Sequence, residues 1–148
     1  MEILTTHTIA WNHLSNWRKS MKKIRVLVGI IGMDQHELGA VTVSRMLRDA
    51  GMEVIYIGNS MPDQIIKAAV QEDADIIGVS SLGVAHLTLG ADLMREAEKE
   101  GIKESNSYVI GGVISPDDIG KLKEIGFDSV FTSGATREEI INVIKSLV

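Results

Sequence analysis

Ile24-Arg25-Val26-Leu27-Val28-Gly29-Ile30-Ile31 is the stretch that decides the fold. It is short, rich in β-branched residues and apolar at consecutive positions. A strand with one wet face would alternate apolar with polar. This run does not alternate, so it reads as a strand buried on both faces, as inside a parallel sheet covered by helices. Four further runs follow at Glu53–Ile57, Asp75–Ser80, Ser107–Ile110 and Asp128–Phe131. The segments between them have helical periodicity. Ala40, Val43, Leu47 and Ala50 fall on one helical stripe, as do Ile140, Ile144 and Leu147 near the end.

Strand and helix thus alternate five times, an α/β pattern. With short connections and no long crossover, the simplest architecture is a flavodoxin-like, doubly wound five-stranded parallel sheet of order 2-1-3-4-5, with helices on both faces. Helix boundaries carry their own signals. Ser115-Pro116-Asp117-Asp118 offers a cap, an initial proline and early acids, and Thr136-Arg137-Glu138-Glu139 has the form of a capping box. Gly51, Gly101 and Gly126 stand where helices should stop.

The 148 residues fit one domain. The expected division is an N-terminal arm over residues 1–22 and a ligand-binding domain over 23–148. In the arm, Trp11, Leu14 and Trp17 share one face of a short helix, and Arg18, Lys19, Lys22 and Lys23 follow. The formal charge of −5 gives no electrostatic case for nucleic acid. The absence of cysteine excludes disulfides, thiolate metal sites and cysteine nucleophiles. No apolar run reaches a membrane span and no secretory signal opens the chain, so a cytoplasmic location is expected.

In a doubly wound sheet, ligands bind beyond the carboxyl ends of the strands. The first such loop reads Gly32-Met33-Asp34-Gln35-His36-Glu37-Leu38-Gly39. The third reads Ser80-Ser81-Leu82-Gly83, the fourth Gly111-Gly112-Val113, and the fifth Thr132-Ser133-Gly134. In the expected order these four strands are adjacent, so their loops line one groove, with Gly58-Asn59-Ser60 beyond it. Ser80 and Ser81 bring hydroxyls, and Gly111-Gly112 removes side chains where something flat or bulky could approach. Asp34 could orient the His36 imidazole and free its other nitrogen for a metal. Taken alone, a histidine near an aspartate is more often structural than a metal ligand.

The combination is more specific. Asp34-x-His36-x-x-Gly39, then Ser80-x-Leu82, then Gly111-Gly112 resembles the three-part signature of the cobalamin-binding domain family, from about Lys23 to the C-terminus. Gly78-Val79-Ser80-Ser81-Leu82 and Gly111-Gly112-Val113-Ile114 look most like the cobalamin domain of methylmalonyl-CoA mutase and the small subunits of related acyl-CoA mutases. The resemblance implies cobalamin bound base-off, with His36 as the lower axial ligand to cobalt and Asp34 as its hydrogen-bond partner. It further implies that Ser80 bonds the buried base, Leu82 packs on it and Gly111-Gly112 leaves room for the nucleotide tail, with Gly39, Gly83 and Val113 also among the cofactor-binding residues. Phe131, Ser133 and Gly134 match the far wall. The usual Gly-Pro-Gly-Thr-Pro is replaced here by Thr132-Ser133-Gly134-Ala135-Thr136, with no hydroxyl at Ala135. His86, where similar mutases also have histidine, reads as a loop or interface residue.

The implied activity is that of the cofactor-binding subunit of an adenosylcobalamin-dependent acyl-CoA mutase, an isomerase that rearranges a carbon skeleton by radical chemistry. Its substrate would be held by a large TIM-barrel subunit, for which 148 residues leave no room. The alternative is a corrinoid carrier protein of a methyltransferase system. Such proteins usually carry a helical cap before the first strand, and only some twenty residues precede Lys22 here. A phosphoacceptor receiver would need an aspartate where Ser80 ends the third strand. A flavodoxin would need hydroxyls in the first loop, and Met33-Asp34-Gln35-His36-Glu37 has none.

Overall fold

The computed structural model describes residues 22–32 and 37–148. Its strands are β1 (Arg25–Ile31), β2 (Glu53–Ser60), β3 (Ile76–Ser81), β4 (Ser107–Gly112) and β5 (Ser129–Phe131). They alternate with α1 (Leu38–Asp49), α2 (Pro62–Gln71), α3 (His86–Lys99), α4 (Pro116–Ile125) and α5 (Arg137–Ser146). The strands pair in parallel in the order β2-β1-β3-β4-β5, the flavodoxin-like architecture expected from the sequence. No helix among the described residues is long and apolar enough to cross a membrane.

The continuous apolar runs serve two cores because successive side chains leave opposite faces of the sheet. Leu27, Ile77, Tyr108 and Ile110 point into one core with Ile65 of α2, Leu93 of α3 and Leu122 of α4. Val26, Val28, Ile76 and Val109 point into the other with Ala40 and Leu47 of α1 and Ile140 and Ile144 of α5. Of the stripes read on the first and last helices, Ala40, Leu47, Ile140 and Ile144 are buried, and Val43, Ala50 and Leu147 pack against this core partly buried. Acids at the strand entrances tie neighbours together. Arg25 N–H donates to Asp75 Oδ2 at 2.9 Å and Tyr108 N–H to Asp128 Oδ2 at 2.8 Å.

Helix signals hold in detail at Thr136, whose hydroxyl accepts from Glu139 N–H at 3.2 Å while the Glu139 carboxylate accepts from Thr136 N–H at 3.2 Å. Ser115 occupies the N-cap of α4 in extended conformation, but its side chain makes no capping bond. Three strands run further than their apolar patterns, β3 by the single residue Ser81. β2 extends through Gly58-Asn59-Ser60, read above as a loop, because a bulge at Ile57 restores pairing of Gly58 with Gly29. β4 includes Gly111-Gly112 because β3 supplies partners in Ser80 and Ser81.

Candidate functional site

At the carboxyl end of the sheet a slot of about 430 Å³ opens between the strands and the helices α1 and α5. Its floor follows from the register. Ser80, Gly111 and Phe131 stand side by side on β3, β4 and β5, and one row deeper stand Val28, Gly78 and Val109 on β1, β3 and β4. Small residues at Gly78, Ser80 and Gly111 keep the floor low, while Val43 and Met46 of α1 and Ile140 and Ile144 of α5 form the walls. None of the described residues lining the slot is charged. Such a space suits a flat, largely apolar group offered a few polar contacts.

Among the residues expected from the sequence, Gly39, Ser80, Leu82, Gly111, Gly112, Val113, Phe131 and Ser133 line this slot together. Gly83 and Gly134 do not line it. Asp34 and His36 lie outside the described residues. The sequence reading missed Gly78, Val43 and Met46, all of which line the slot, and Ala135 lines it without the usual hydroxyl. A glycine inside an otherwise continuous buried strand was the signal available for Gly78.

The two adjacent glycines have different reasons. A Cβ on Gly111 would meet Phe131 Cβ and its carbonyl oxygen at 3.6 Å, an ordinary contact. A Cβ on Gly112 would lie on the Ser81 carbonyl, and Gly112 has φ +141°. Gly112 is thus required by the neighbouring strand itself, whereas Gly111 is free to serve the slot.

The loop that follows β1 is anchored at its root. Gly32 N–H donates to the Ser60 carbonyl at 2.9 Å, and the Asn59 side-chain amide donates to the Gly32 carbonyl at 3.3 Å. Gly32 has φ +85°, and a Cβ there would lie 2.9 Å from Leu89 Cδ1 of α3. Chain direction at the start of this loop is therefore set by β2 and α3. Nearby on β2, burial and the Glu37 carboxylate push the Tyr56 phenol up from its usual range.

The arrangement fits the nucleotide portion of a cobalamin on its own chemistry. A neutral aromatic base matches an uncharged, hydrocarbon-walled slot, and the Ser80 hydroxyl can bond a ring nitrogen. Comparisons with known proteins agree. A family model described as the B12 binding domain matches residues 24–141. The 2-hydroxyisobutanoyl-CoA mutase small subunit of Aquincola tertiaricarbonis is 36% identical over 126 residues, covering 84% of this chain and 92% of the relative. The pivalyl-CoA mutase small subunit of Xanthobacter autotrophicus is 39% identical over 128 residues, covering 85% and 84%. A crystal structure of a cobalamin-binding protein from Desulfitobacterium hafniense superposes with a TM-score of 0.74 at 18% identity, over 93% of this chain and 65% of that one, a likeness of fold. On the matched model and on small-subunit relatives spanned over most of their length, this chain belongs to the B12-binding domain family.

Proposed function

We propose that the chain binds cobalamin base-off, with His36 as the axial ligand to cobalt, as the small subunit of an adenosylcobalamin-dependent acyl-CoA mutase. The observation that carries this reading is the slot itself. The three sequence motifs are spread over more than seventy residues, yet Gly39, Ser80, Leu82, Gly111 and Gly112 line one uncharged cavity. Gly39 ends the motif that contains Asp34 and His36 and itself lines the slot, which supports His36 as the ligand. Asp34 would hold one imidazole nitrogen and fix the tautomer that presents the other to the metal. Ser80 would bond the base, and Leu82 and Phe131 would pack on it.

Bound adenosylcobalamin supplies a cobalt–carbon bond that breaks homolytically and starts a radical rearrangement. The chain's part is to hold and orient that cofactor. The substrate site belongs to a large TIM-barrel subunit, as the small-subunit relatives support. Exposed apolar side chains gather at the same edge, with Leu38 81% exposed, Val84 99% and Val113 63%. Side chains of this kind favour being covered, here by the cofactor and the partner. Residues 23–148 form the binding domain and 1–22 an arm, in a cytoplasmic protein.

Adding adenosylcobalamin to wild type and to His36→Ala and recording visible spectra tests the ligand. The wild type is expected to give a base-off, histidine-ligated spectrum that the variant lacks. Identical free-cofactor spectra from both would overturn it. Capture of a large subunit, followed by assays on acyl-CoA thioesters, separates the mutase from a methyl carrier.

A further inference from the structure

His86 is a buried ionisable side chain that the slot does not use. It opens α3 and is 6% exposed. Its Nδ1 lies 3.1 Å from the Gly83 carbonyl oxygen and its Nε2 lies 2.8 Å from Asp118 Oδ2. Asp118 sits in the first turn of α4, with its other oxygen 3.7 Å from Lys121 Nζ. Both ring nitrogens face oxygen atoms at hydrogen-bond distance, so the ring is held at both ends. The contact to the carboxylate is the shorter of the two.

The position of this bridge is informative. The ladder between β3 and β4 ends at the pair Ser81 and Gly112. Past it the two chains separate into Leu82–Ala85 and Val113–Ser115, the stretches that carry Leu82 and Val113 to the rim of the slot. His86 terminates the first stretch and Asp118 follows closely on the second. Their bond joins the two segments where the sheet no longer does, and the second ring nitrogen holds the turn at Gly83. A buried polar bridge adds little stability, since apolar packing could hold α3 on α4 as well. Its advantage is directional, because a ring bonded at both ends fixes the turn between Ser80 and His86.

We infer that His86 and Asp118 are positioning residues for the cofactor groove, setting the separation of Leu82 from Val113 across its rim. This rests on the cobalamin reading above. The test measures adenosylcobalamin dissociation constants by visible titration, well below each protein's unfolding midpoint, for wild type, His86→Ala, Asp118→Ala and the double variant. Ile65→Val, on α2 in the core on the face of the sheet away from the slot, is the control for destabilisation without a contact to the groove. Each single variant is expected to weaken binding about tenfold, the double variant no more than either, and the control not at all. Asp118→Ala places a strong helix former in the first turn of α4 and answers alone if His86→Ala does not fold. Wild-type affinity in the folded His86 and Asp118 variants, or equal weakening in Ile65→Val, overturns the positioning role while leaving the cobalamin reading intact. Failure of the wild type to bind overturns the cobalamin reading and this inference with it.

Discussion

Gly111 and Gly112 are neighbours in one motif and answer to different forces. The Ser81 carbonyl occupies the place of a Cβ on Gly112, and both belong to backbone that cannot swing aside. Gly112→Ala is expected to cost about 2–4 kcal/mol through backbone strain and displacement of β3, read as a lower urea midpoint. Gly111→Ala has ordinary contacts around the added methyl. It should change the midpoint by less than about 1 kcal/mol while weakening cobalamin binding at least tenfold, because the methyl rises from the floor of the slot. Asn59 acts at the root of the His36 loop. Asn59→Ala removes the bond to the Gly32 carbonyl and is expected to cost about 1 kcal/mol.

The helix α5 is both core and wall. Ile140 and Ile144 hold it on the sheet while facing the slot, and the Thr136–Glu139 capping box fixes where it starts. Thr136→Ala should lower stability by about 1 kcal/mol, seen in urea unfolding. That start was legible in the sequence because capping is a local matter, as were the apolar stripes and the strand order. The ends of β2 and β4 were not. Asn59 and Gly111 carry turn-forming residue types, and only partners on β1 and β3, far along the chain, make them strand. The same limit governs the site. Ser80, Leu82 and Gly111 could be read from their motifs, whereas Val43 and Met46 look like any core stripe until the sheet beneath them proves to be floored by Gly78 and Gly111. The bridge from His86 to Asp118 spans thirty-two positions and has no local signature.

Across the whole molecule the two faces of the sheet differ. The face under α2, α3 and α4 is a closed core, while the face under α1 and α5 shares Val28, Leu47 and Ile144 between core and slot. A ligand seated there becomes part of the packing. With adenosylcobalamin at 100 times its dissociation constant, the native state should gain about 2.7 kcal/mol, so Tm should climb with cofactor concentration. A flat Tm across such a titration would count against cofactor binding to the folded chain.

The shared wall also bears on the lifetime of the chain. Proteases cut what opens, and a gain of about 2.7 kcal/mol reduces the opened fraction roughly a hundredfold. The chain without its cofactor is therefore the form more readily cut.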